Sequence, residues 1–121
     1  MTTPHERMRA LRWGYELVHS VAIDESLPET LRSRALAVAV AVDYPAPEVI
    51  EQVRSEGLRG LEPSAVEAFC NARRLFQDVA RTMDLSILRR RDVQGTLRHF
   101  DPDDSILRLL VRAEALRDWL E

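Results

Sequence analysis

Leu31-Arg32-Ser33-Arg34-Ala35-Leu36-Ala37-Val38-Ala39-Val40-Ala41-Val42-Asp43-Tyr44-Pro45 is the stretch whose reading decides the fold of this chain. Valines at alternate positions suit a strand. No other segment offers a partner strand, and an isolated strand leaves its backbone groups unpaired. The stretch therefore predicts a helix, apolar on all sides because it is buried on all sides, with Leu36 and Val40 in the core. Tyr44-Pro45-Ala46-Pro47 stops it, since proline cannot continue the helical ladder.

The same pattern returns downstream. Leu88-Arg89-Arg90-Arg91 opens a second run that breaks at Phe100-Asp101-Pro102. With Leu31 set against Leu88, Arg32, Arg34 and Pro45 meet Arg89, Arg91 and Pro102. Apolar Leu36, Val40, Val49, Ile50 and Val53 meet Val93, Leu97, Ile106, Leu107 and Leu110. Self-similarity of this kind points to two similar helical halves packed together.

The flanking sequence supplies the rest of each half. Thr3-Pro4 is a helix start, with Glu6 placed to complete a capping box. Met8, Leu11, Tyr15, Val18 and Ala22 follow at spacings of three and four, giving a helix over 4–22. Gly14 weakens that helix by about 1 kcal/mol relative to alanine, and suits the close approach of another helix. A third, short helix over 47–56 carries Val49, Ile50 and Val53. The cluster Gly57-Leu58-Arg59-Gly60-Leu61-Glu62-Pro63 marks the joint between halves. Pro63 starts a long fourth helix whose stripe is Ala65, Phe69, Ala72, Phe76, Val79 and Met83. Asp84 or Ser86 caps a fifth, over 86–100, with Val93 and Leu97 inward and Gly95 as a weak spot. A sixth follows Asp101-Pro102-Asp103-Asp104, where carboxylates meet the positive end of the helix.

Composition bounds the rest. The chain has 121 residues, enough for one core, and 45% of them are hydrophobic, which argues against disorder. All 17 basic residues are arginine; 20 acids outnumber them, and the net charge is −3. That balance gives no global attraction to nucleic acid or to an anionic membrane. Cys70 is the single cysteine, so no intrachain disulfide forms, and a reducing, cytoplasmic setting is the expectation. Met1-Thr2-Thr3-Pro4-His5-Glu6-Arg7 has no apolar core of a signal peptide, and no apolar run approaches the ~20 residues of a membrane span.

The opening MTTPHERMRALRW, residues 1–13, resembles that of a family of small uncharacterised proteobacterial proteins. Those chains begin with a threonine-proline-histidine-glutamate-arginine motif and later carry a leucine-arginine-histidine-aromatic-proline motif. Leu97-Arg98-His99-Phe100-Asp101-Pro102 is similar to the second motif, with one residue inserted before the proline, and Asp43-Tyr44-Pro45 is a degenerate copy. Family members are often about half this length, as a duplicated unit would require. The resemblance implies a compact helical fold. The family has no established activity, so no functional residue transfers.

The chemistry-bearing residues are sparse. His5, His19 and His99 lack metal-ligand spacing, and Glu16 and His19, three apart, would need further ligands from elsewhere. No metal and no cofactor is expected. Cys70, one position off the Phe69 stripe, is expected to be a buried, unreactive thiol. No nucleophile elbow, paired-acid spacing or phosphate-binding glycine loop occurs, so no catalysis is expected. The densest basic patch is Arg89, Arg90, Arg91 and Arg98, the candidate contact for nucleic acid. No aromatic residue interleaves it. Pairs such as Arg74–Asp78 and Asp104–Arg108, four apart, would instead lace a solvated face. The C-terminal helix has more apolar surface than one inward stripe needs. Leu109, Leu110, Leu116, Trp119 and Leu120 are therefore candidate interface residues; Trp13 and Tyr15 raise the same question for the first helix.

The sequence thus predicts an all-α single domain, a compact bundle of five or six helices, with a pseudo-repeat of 1–58 and 61–121. Its expected role is a small cytoplasmic helical interaction module, non-catalytic and self-associating, that pairs as a homodimer or with another protein and leaves membranes alone. The alternatives are a nucleic-acid binder using Arg89, Arg90, Arg91 and Arg98, and a bundle with an apolar small-molecule pocket between the halves.

Overall fold

In a computed structural model the described residues are 4–41, 44–56 and 63–100. They form an all-α bundle with no strand among them: α1 (Pro4–Ala22), α2 (Glu29–Leu36), α3 (Pro47–Glu56), α4 (Pro63–Ala80) and α5 (Ile87–Leu97). A π-helical segment, Ala37–Ala41, continues α2. Proline stands first in α1, α3 and α4, where its missing N–H has no partner to lose. The joint between the expected halves, and the sixth helix with Leu109, Leu110, Leu116, Trp119 and Leu120, lie outside the described residues.

Helix α1 is central and packs against α2, α3, α4 and α5. Its Met8, Leu11, Val18 and Val21 are buried, and so are Ala65, Phe69, Ala72, Phe76 and Val79 of α4. Two residues read from the sequence only as helix breakers are core members. Tyr44, after α2, and Phe100, after α5, at 4% and 1% exposure, both close on Gly14. The Tyr44 ring stands edge-on to Phe69 with centroids 5.0 Å apart, and Phe100 meets Phe76 in the same way at 5.5 Å. The Tyr44 hydroxyl donates to the Leu11 carbonyl. Burial raises its pKa well above the usual 10.0, so it stays a donor.

Three expectations are corrected. Leu36 and Val40 are exposed, at 57% and 65%. The inward face of this stretch is Leu31, Ala35 and Val38, spaced by four and three, and residues two positions from Val38 must point the other way. The helix is thus apolar all round but buried on one side. Met83 is also exposed, because α4 ends at Ala80 before the stripe reaches it. Arg74 donates to Asn71 instead of pairing with Asp78. Asp78 is taken by Arg34 of α2 at 2.6 Å and by Arg81 at 3.8 Å.

Of the two candidate caps for α5, Ser86 serves: its Oγ accepts from the Arg89 N–H at 3.1 Å. Asp84 takes the left-handed turn before it, with φ of 62°, a conformation that aspartate tolerates better than most side chains. Ser86→Ala is expected to cost about 1 kcal/mol, read by urea denaturation, with the loss traced to α5 by faster amide exchange in its first turn.

Candidate functional site

Helices α1 and α5 lie side by side and run in opposite directions. At one end Arg89, in the first turn of α5, reaches Asp24, just past α1. At the other His99, just past α5, reaches Glu6 in the first turn of α1 at 3.1 Å. Between them lies an open cleft of about 470 Å³. Its α1 wall is Trp13, Glu16, Leu17 and Ser20, and its α5 wall includes Arg91, Asp92, Gly95 and Thr96. These spacings of three and four put each set on one face of its helix.

The Arg89 end of the cleft is held by charge. Both Nε and Nη2 of Arg89 lie 2.9 Å from Asp24 Oδ2, with the two side chains only 14% and 16% exposed. Ser26 donates its hydroxyl at 2.5 Å and its backbone N–H at 3.0 Å to Asp24 Oδ1. The Ser26 hydroxyl bond, then its backbone bond and Arg89, hold the Asp24 carboxyl below its usual 3.8, against the opposing effect of burial. A depressed carboxylate pKa stabilises the fold above the unfolded-state value, and that stability is lost as pH falls through the folded value. Asp24→Asn is therefore expected to lower stability at pH 7 and to flatten the loss on acidification below about pH 4. Denaturation midpoints measured from pH 7 to pH 2 check both effects.

The rest of the cleft is unsaturated. No ion pair or side-chain hydrogen bond joins Glu16, Arg91 or Asp92 to another described residue. Trp13 is 47% exposed, with the Arg9 guanidinium 5.9 Å from its ring centroid. Leu88, one turn before Arg91 and Asp92, is 73% exposed, and Ile23, one turn after Ser20, is 80% exposed. A Cβ added at Gly95 would meet nothing within 4 Å. Mid-helix glycine is costly, and here no packing in the fold requires it. Gly95→Ala is expected to raise stability by about 0.5–1 kcal/mol, measured by thermal or urea denaturation.

The arginines named from the sequence separate here. Arg89 is committed to Asp24 and Arg90 donates to the Ala80 carbonyl at 3.2 Å, while Arg91 and Arg98 are exposed. Cys70 is partly exposed on α4, less buried than expected. His19 packs edge-on against Tyr15, with centroids 4.5 Å apart. No group of three or more His, Cys, Asp or Glu among the described residues is arranged to hold a metal ion. None of their helices is long and apolar enough to cross a membrane.

Comparison with family models, with curated proteins and with solved structures finds no match for the chain. The cleft is therefore read from its own residues. The sequence had marked Trp13, Glu16 and Gly95 one at a time. The convergence of Trp13 and Glu16 with Gly95 depends on which helices are neighbours, which spacing along one helix does not encode.

Proposed function

We propose that the chain is a small, non-catalytic helical interaction module of the cytoplasm that binds another polypeptide, foremost a second copy of itself, through the cleft between α1 and α5. The observation that carries this reading is the cleft's composition. A half-exposed tryptophan, the large exposed Leu88 and Ile23 beside its Arg89–Asp24 end, and charges of both signs without a partner among the described residues are the anchor-and-rim composition of a protein interface. The apolar C-terminal residues Leu109, Leu110, Leu116, Trp119 and Leu120 belong to the same reading as a further contact surface. Binding of nucleic acid is the weaker reading, because two of its four arginines already have partners within the fold. A small-molecule site has the cleft's volume in its favour, but the lining is mixed polar where an apolar pocket was expected.

Photo-crosslinking inside the native cell tests the proposal. A photoreactive residue replacing Glu16, in the cleft, should yield a protein adduct. The same residue replacing Ser33, exposed on α2, should not. Adducts of equal yield at both positions, or none at Glu16, would sink the reading.

A further inference from the structure

We propose that the occupant of the cleft is a second copy of the chain, docked about a two-fold axis that runs along α5, so that the two α5 helices pack parallel. This rests on the reading of the cleft as a contact surface and names the partner and its register.

The outer face of α5 is built for it. At 100° per residue, Leu88 and Gly95 share one line on the helix surface, and Arg91 and Asp92 flank that line on opposite sides. The burial pattern agrees: Val93 and Thr96 point inward, while Leu88, Arg91, Asp92 and Gly95 are all exposed. Leu88 and Gly95 are seven residues apart, so each line of contact repeats after two turns. Leu88 would meet Leu88 of the second copy, removing an apolar side chain that is 73% exposed. At Gly95 the open space where a Cβ would stand lets the two backbones close together.

Charge then selects the direction. When the axis lies along the helices, the flanks exchange: Arg91 of each copy faces Asp92 of the other. When the helices are antiparallel, each flank faces its own counterpart, bringing arginine to arginine and aspartate to aspartate. Parallel pairing therefore gives two equivalent ion pairs, and antiparallel pairing two repulsions. The α1 wall reinforces the choice. Arg89, which reaches Asp24 past α1, and the inward Thr96 lie on the Asp92 side of α5, so α1 stands on that side and the incoming Arg91 approaches Glu16 and Asp92, both without a partner among the described residues. One guanidinium then meets two carboxylates, and the symmetry makes that contact twice. With only 11 residues in α5, the interface belongs to the small, weak class.

Sedimentation equilibrium of the purified chain, up to about 1 mM, reads the association. The wild-type chain should dimerise reversibly. Leu88→Glu, Arg91→Asp and Asp92→Arg, all at exposed positions that leave the melting transition intact, should each weaken the dimer by at least about tenfold. An equimolar mixture of the Arg91→Asp and Asp92→Arg chains should dimerise again as a heterodimer. In a Cys70→Ala background, Leu88→Cys should form a disulfide between copies, which parallel packing permits and antiparallel packing does not. A chain monomeric at 1 mM overturns the inference, as does a dimer indifferent to all three variants, or one whose Leu88→Cys form stays unlinked. A Glu16 adduct to a different protein from a chain that is monomeric in solution would remove this inference while leaving the proposed function in place.

Discussion

Gly14→Val is expected to lower stability by about 3 kcal/mol or more, and Gly14→Ala by about 1–3 kcal/mol. Helix propensity argues the other way, since alanine in a helix interior gains roughly 1 kcal/mol over glycine. Packing overrides it. A Cβ at this position would overlap the Tyr44 hydroxyl and stand 2.8 Å from Cε2 of Phe100. Neither ring has room to retreat. Tyr44 is held by its bond to the Leu11 carbonyl and by Phe69, and Phe100 is held by Phe76. The test is urea denaturation of the three chains. A Gly14→Ala protein more stable than wild type would mean that propensity had won and that the rings do not close on α1. Gly95 supplies the internal control: the same substitution in open space should stabilise.

The contrast between the two glycines shows what the sequence could tell. Helix identity and the starts at Pro4, Pro47 and Pro63 were legible, because they depend on local chemistry: a fixed φ, a missing donor, and apolar spacing of three and four. The core positions Phe69, Phe76 and Val93 were legible for the same reason. Leu36 and Val40 were misread because an unbroken apolar run carries no polar side by which to orient it. Only the neighbouring α1 and α4 determine that Leu31, Ala35 and Val38 face inward. Tyr44 and Phe100 were read as parts of breaker motifs. Breaking the helix is what frees each ring to turn back onto α1, and that role appears only once the helices are assembled. The cleft was illegible on the same ground. Trp13, Glu16 and Leu17 define a face of α1, but nothing in their spacing names α5 as its neighbour.

Phe76→Ala is expected to cost about 3–5 kcal/mol, the range for removing a large aromatic side chain from a closed core. Phe76 has no exposed surface, sits amid the fully buried Leu75, Val79 and Val93 and packs edge-on against Phe100. Its loss opens a void where the last described residues of the chain are anchored, so the variant should unfold at lower denaturant and loosen α5 as well. Phe76→Leu keeps most of the volume and should lose much less. The aromatic pair can be isolated by adding Phe100→Ala. If the rings interact directly, the double variant should lose less than the sum of the two single losses, by about 0.5–1.5 kcal/mol. Strict additivity would mean that Phe76 and Phe100 fill separate parts of the core, and that α5 is fastened to α1 by the Arg89–Asp24 and His99–Glu6 pairs at its two ends without help from the ring contact.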